Sequence, residues 1–133
     1  MKFTTKYKGE LRTEIEHRGS GEKVITDAPL DNNGQGRFFS PTDMAASSLA
    51  SCMMTIIGIR AAKSDIHINS MEADVEKVMA SDPRRIGKII VRISVNADAN
   101  ERQQEMLTRA AETCPVALSL HPDLIQDVKI DFE

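Results

Sequence analysis

The sequence predicts an α+β protein in which antiparallel sheets pack on one long helix. Three observations carry this reading. Apolar residues alternate with polar ones near both ends and in the middle of the chain, the stretch MAASSLASCMMTIIGIRAA holds no charge until Arg60, and the elements run strands, long helix, strands, helices, strand. With 133 residues the chain suits a single domain over 1–133, and no linker-like segment divides it.

Phe3, Thr5, Tyr7, Leu11, Thr13 and Ile15 share one parity, the pattern of strands with one face inward, and Lys8-Gly9-Glu10 is the turn or bulge between them. Lys23 to Thr26 reads as a third strand. The segment from Asp27 to Gly36, with Pro29, Asp31, Asn32, Asn33 and two glycines, reads as a loop.

A helix is expected to start at Ser40-Pro41-Thr42-Asp43, with serine as N-cap, proline at the first helical position and an acidic residue near the positive end of the dipole. It should continue to about Lys63. Apolar or small residues cover every side of it, so every side needs a cover. Ala45, Ala46, Ser47, Ser48, Ala50 and Ser51 would let a second helix approach closely, and one small chain supplies too little cover. A homodimer sharing this helix in its core is therefore expected.

Ile66 to Val78 reads as a strand ended before Pro83, and Asp82-Pro83-Arg84-Arg85 as a solvated turn. Ile89, Val91, Ile93 and Val95 alternate with Ile90, Arg92, Ser94 and Asn96, a clean strand that pairs with its predecessor as a hairpin. Asn100 to Cys114 is an amphipathic helix with Met106, Leu107, Ala110, Ala111 and Cys114 on one face. A short helix from Pro115 to His121 would place Cys114 at its N-cap, where free N–H groups favour a thiolate. Val128, Ile130 and Phe132 form a last strand.

Several function classes are disfavoured. A net charge of −3 argues against a nucleic-acid surface, which needs clustered Lys and Arg. The beginning, MKFTTKYKGELRTE, has no continuous apolar segment, so a secretory signal is not expected and a cytoplasmic location is. The run from Met44 to Ile59 is short for the ~20 residues of a membrane span and carries serines and a threonine; it reads as a core helix, and no membrane partner is expected. His17, His67 and His121 show no metal-ligand spacing.

The two cysteines, Cys52 and Cys114, are either inert core thiols or a redox couple. Cys52 lies about 18 Å of helical rise beyond Ser40, too far for the dipole to activate it. Reactivity therefore requires a cation or donors brought by another segment; Ser48, one turn earlier, could donate one hydrogen bond.

SPTDMAASSLASC resembles the motif that opens the central helix in the OsmC/Ohr family of osmotically inducible and organic hydroperoxide resistance proteins, and AAETCPVALSL resembles that family's second-cysteine motif. The order of elements and the chain length agree as well. The resemblance implies an intertwined homodimer, with antiparallel sheets wrapping the long central helices and active sites at the subunit interface. It implies a thiol-dependent peroxidase: Cys52 attacks an organic hydroperoxide, Cys114 forms a disulfide with it, and an external dithiol, lipoyl or a small thiol, restores both. No metal, haem or flavin cofactor is implied.

In the family an arginine holds the cysteine as thiolate and a glutamate from the helix start holds the arginine. On this sequence the cation is Arg18, in HRGSGE, or Arg37, in GQGRFF, with Arg18 resembling the hydroperoxide-resistance branch. The glutamate position, ten residues before Cys52, holds Thr42, with Asp43 beside it. One residue turns a helix by 100°, so Asp43 would reach the arginine only from a distorted first turn. This departure points to an OsmC-like branch that keeps both cysteines without the full charged set. Two alternatives stand beside the peroxidase: a general thiol-disulfide protein, and a module binding small apolar ligands. Met44, Met53 and Met54 fit a dimer core or an adaptable apolar pocket.

Overall fold

A computed structural model describes residues 2–133 and, among them, places the elements in the expected order. Contacts within the chain fall into two compact units, one ending at Ala45 and one beginning at Ala46.

The first unit is a three-stranded antiparallel sheet of β1 (Phe3–Gly9), β2 (Arg12–His17) and β3 (Lys23–Asp27), in that order. The β1–β2 link falls at Glu10 and Leu11, slightly beyond the expected Lys8-Gly9-Glu10, and three successive φ angles are positive, 84° at Gly9, 54° at Glu10 and 62° at Leu11. Phe3 faces His17, Thr5 faces Ile15 and Tyr7 faces Thr13, so the odd-numbered residues share one face as their parity predicts. Phe3 and Tyr7 are 65% and 68% exposed in the single chain. The loop after β3 contains one turn of 3-10 helix, Leu30–Asn32.

Helix α1 (Pro41–Lys63) starts where its cap predicts. The Ser40 N–H donates to Asp43 Oδ2 (2.9 Å) and the Asp43 N–H donates to Ser40 Oγ (3.0 Å), so each residue satisfies a backbone donor of the other. With 23 residues and a mean hydropathy of 1.4 over its most apolar window, α1 is longer than the apolar run alone, and by length and composition it is sufficient to cross a membrane; 33% of that window is buried in this chain.

The second unit has its own sheet, β4 (Ile68–Ala80), β5 (Arg85–Ala97) and β6 (Ile125–Phe132), with β5 central. The β4–β5 hairpin is antiparallel and turns at exposed residues 81–84, where Arg85 donates to the carbonyls of Ser81 (2.8 Å) and Pro83 (2.9 Å). β6 pairs with β5 in parallel, so this sheet is mixed and not wholly antiparallel. The reason is the connection: α2 (Glu101–Ala111) and α3 (Pro115–Ser119) carry the chain back along the sheet before β6 begins, the kind of crossover a parallel pair requires. Both helices stop earlier than expected, α2 at Ala111 and α3 at Ser119. A reciprocal cap between Asn100 and Gln103 starts α2.

The core belongs to this second unit. Ile89, Val91, Ile93 and Val95 on β5 are buried, with Leu107 and Ala111 from α2 and Ala46, Leu49, Ala50, Met53, Ile57 and Ala61 from α1. Those α1 positions recur at helical spacing, so one stripe of an all-round apolar helix is covered by the chain itself. Ile59, off that stripe, is 48% exposed.

Candidate functional site

The second unit brings the two cysteines together. Cys52 sits on α1, one residue before the buried Met53, and is partly exposed; Cys114 is fully buried at the N-cap of α3. Both are free thiols and share a hydrogen bond. Pro115 at the first position of α3 fixes the turn that presents Cys114, whose Sγ accepts the N–H of Ala117 at 3.4 Å.

The electrostatics of Cys114 reverse the expectation that the helix start favours its thiolate. Burial pushes the Cys114 thiol up, and the hydrogen bond with Cys52 pushes the same way; the Ala117 and Val116 N–H groups pull down and are outweighed. A single turn of helix has few aligned peptides to offer, and the cost of charge among apolar neighbours outweighs them. The Cys114 thiol is therefore held above its ordinary range.

A cavity of about 320 Å³ is walled by backbone partners of Cys114, though neither cysteine lines it. Its walls include Ala111, whose carbonyl accepts the Cys114 N–H (3.2 Å), and Ala117, with Met53, Val128 and Ile130 completing an apolar lining. Glu112 and Gln126 supply polar groups at its edge. Among the described residues no His, Cys, Asp or Glu side chains are grouped as a metal ion would require.

The remaining candidates lie in the first unit. Arg18 is exposed just beyond β2, its backbone N–H donating to the Lys2 carbonyl (3.3 Å). Arg37 is exposed in the loop before α1. The Thr42 hydroxyl lies 3.2 Å from that of Ser40, and Asp43 serves the cap described above, in a regular first turn.

One cluster here was not read from the sequence. Arg12 and Asp27 face each other across β2 and β3, with the guanidinium 3.6 Å from Asp27 Oδ2 and the carboxylate completely buried. The same oxygen accepts the Arg37 N–H at 3.2 Å, the Asp27 N–H donates to the Phe39 carbonyl, and the Phe38 ring lies 5.4 Å from the Arg12 guanidinium carbon. Asp27 thus ties the loop bearing Arg37 to the sheet. Its only sequence signal is a position at a strand end, which many exposed aspartates share.

Comparison with known proteins follows the fold. The family model for OsmC-like protein matches residues 34–128. A crystal structure from Psychrobacter arcticus 273-4, provisionally designated an osmotic stress induced and detoxification response protein, is 48% identical; the match covers 98% of this chain and 95% of that one, with a TM-score of 0.92. An OsmC-like protein from Mycoplasma pneumoniae shares the fold at 16% identity, covering 98% and 95% of the two chains with a TM-score of 0.81. The organic hydroperoxide resistance protein OhrB of Bacillus subtilis does so at 22% identity, covering 99% and 96% with a TM-score of 0.65. No curated protein sequence matches significantly. With most of its length matched by the family model and a close structural relative along nearly all of it, the chain belongs to the OsmC-like protein family.

Proposed function

We propose that this protein is a thiol-dependent peroxidase of organic hydroperoxides. The observation that carries the reading is the contact between a partly exposed Cys52 and a buried, protonated Cys114. In the first step the Cys52 thiolate attacks the terminal peroxide oxygen, the O–O bond breaks, Cys52 becomes a sulfenic acid and the alkoxide leaves as alcohol after taking a proton. Cys114 then attacks the Cys52 sulfur, forming the disulfide and releasing the sulfenic oxygen as water. An external dithiol, of the lipoyl or small-thiol class, exchanges with the disulfide and leaves as its own disulfide. This cycle needs a reducing compartment such as the cytoplasm.

Division of labour follows from burial. Cys114 is buried and Cys52 partly exposed, so Cys52 is the thiol that meets the peroxide. Arg18 is our first candidate for the cation beside it and Arg37 the second, with Thr42 and Asp43 standing where the family's glutamate would. The apolar lining of the cavity beyond Ala111 and Ala117 suits alkyl peroxides better than hydrogen peroxide. A homodimer agrees with the bare faces of β1 and α1, since Phe3, Tyr7 and Ile59 are large apolar side chains left open in one chain.

The test is mass spectrometry after one equivalent of cumene hydroperoxide. In Cys114→Ser the reading expects an added oxygen on Cys52, trapped by dimedone; in Cys52→Ser it expects no modification of Cys114. Unmodified cysteines in both variants would instead favour the second reading, a binding module whose apolar ligand occupies the cavity beside Cys114.

A further inference from the structure

We infer that the cleft between the end of α1 and the outer face of α2 is a binding site for a small polyanion bearing two or more phosphate or carboxylate groups. The cleft encloses about 830 Å³ and is separate from the apolar cavity. Arg102, Glu105, Met106, Arg109 and Thr113 recur at helical spacing along one face of α2 and its C-terminal extension, and Arg60 from the last turn of α1 joins them. Three guanidiniums therefore line one cleft against a single carboxylate.

Their donors are poorly used by the protein. Among the described residues none of Arg60, Arg102 and Arg109 forms an ion pair. Arg60 donates to the thioether of Met106 at 3.0 Å, and thioether sulfur is a weak acceptor. A guanidinium held on sulfur exchanges that contact readily for an anionic oxygen, which it binds in a bidentate fork. In a protein of net charge −3, this local excess of positive charge is the reverse of the global balance, and a concave wall concentrates its field.

Phosphate and carboxylate share the forked geometry that arginine recognises, so the ligand class is set by charge and oxygen spacing. Met106 and Ala110 add an apolar floor that accepts the ligand's carbon skeleton. The cleft reaches Thr113, the residue before Cys114, but the inference does not depend on thiol chemistry.

Isothermal titration of the full chain with inorganic pyrophosphate and with citrate tests the site, with potassium chloride at matched ionic strength as the control. Saturable binding of either anion is expected, weakened about tenfold by Arg102→Gln and again by Arg109→Gln, as loss of one charge-assisted contact predicts. Glu105→Gln should tighten binding, a gain that a merely structural role for this face does not produce. The anion that binds assigns the class, phosphate or carboxylate. Responses equal to the chloride control, or binding unchanged in the correctly folded double variant, overturn the inference.

Discussion

The Cys114 thiol, buried in the core, is hydrogen-bonded to Cys52 and holds its proton against the pull of the α3 backbone N–H groups. One consequence is a dependence of stability on pH. The unfolded chain loses this proton near pH 8.5, about the value of a free thiol, whereas the folded chain keeps it to higher pH. The stabilising contribution is therefore complete below the unfolded value and is lost as pH rises through the folded one. Urea unfolding between pH 7 and 10 should show a steeper loss of stability in the native chain than in Cys114→Ala. Equal slopes would contradict the assignment.

The Arg12–Asp27 pair should respond asymmetrically to truncation. Asp27 is wholly buried, while the Arg12 side chain is 23% exposed. Arg12→Ala leaves a buried carboxylate without its counter-charge and should cost about 3 kcal/mol or more. Asp27→Ala leaves an arginine that water can reach and should cost less. Denaturant unfolding of both variants and the double variant tests this, and the double variant should fall short of the sum.

Gly34 is the tightest point of the loop before α1. A Cβ there would lie 1.7 Å from the Ala28 carbonyl oxygen, an overlap with backbone that no side-chain rotation relieves. Its N–H donates to the Pro29 carbonyl (2.9 Å) and the Gly36 N–H to Ala28 (3.2 Å), so the loop cannot open without losing both bonds. Gly34→Ala should destabilise by more than about 2 kcal/mol in thermal or urea unfolding, whereas Gly58→Ala, inside α1 where a Cβ meets nothing within 4 Å, should stabilise by about 0.5–1 kcal/mol.

These cases show what the sequence could carry. The start of α1 was legible because Ser40, Pro41 and Asp43 act on their own neighbours, and the β4–β5 hairpin because period-two alternation is a property of single strands. The direction of β6 was not, since parallel or antiparallel pairing depends on the route of the connection through α2 and α3. Neither was Arg12–Asp27, a contact made between strands by residues whose local settings look ordinary. The same limit applies to the thiols: two motifs marked Cys52 and Cys114 separately, but the loss of dipole activation at Cys114 came from burial, which spacing does not report. The odd-numbered face of β1 was read correctly as a face, and in the single chain it is open.

At Thr42 the chain departs from the resemblance that supports the peroxidase reading. If the family's glutamate acts by holding the arginine beside Cys52, Thr42→Glu should raise kcat/KM for cumene hydroperoxide, by about tenfold if it restores one charge-assisted hydrogen bond. Asp43→Asn is the companion measurement. An asparagine oxygen can still accept the Ser40 N–H, so stability should hold, and a fall in activity alone would assign Asp43 to the arginine and not only to the cap.

The most direct test of the account is a count of free thiols in the reduced protein before and after one equivalent of cumene hydroperoxide. The account predicts that both thiols disappear together, that dithiothreitol returns both, and that Cys52→Ser keeps its one remaining thiol, that of Cys114. Persistence of both thiols in the native chain under these conditions would contradict it.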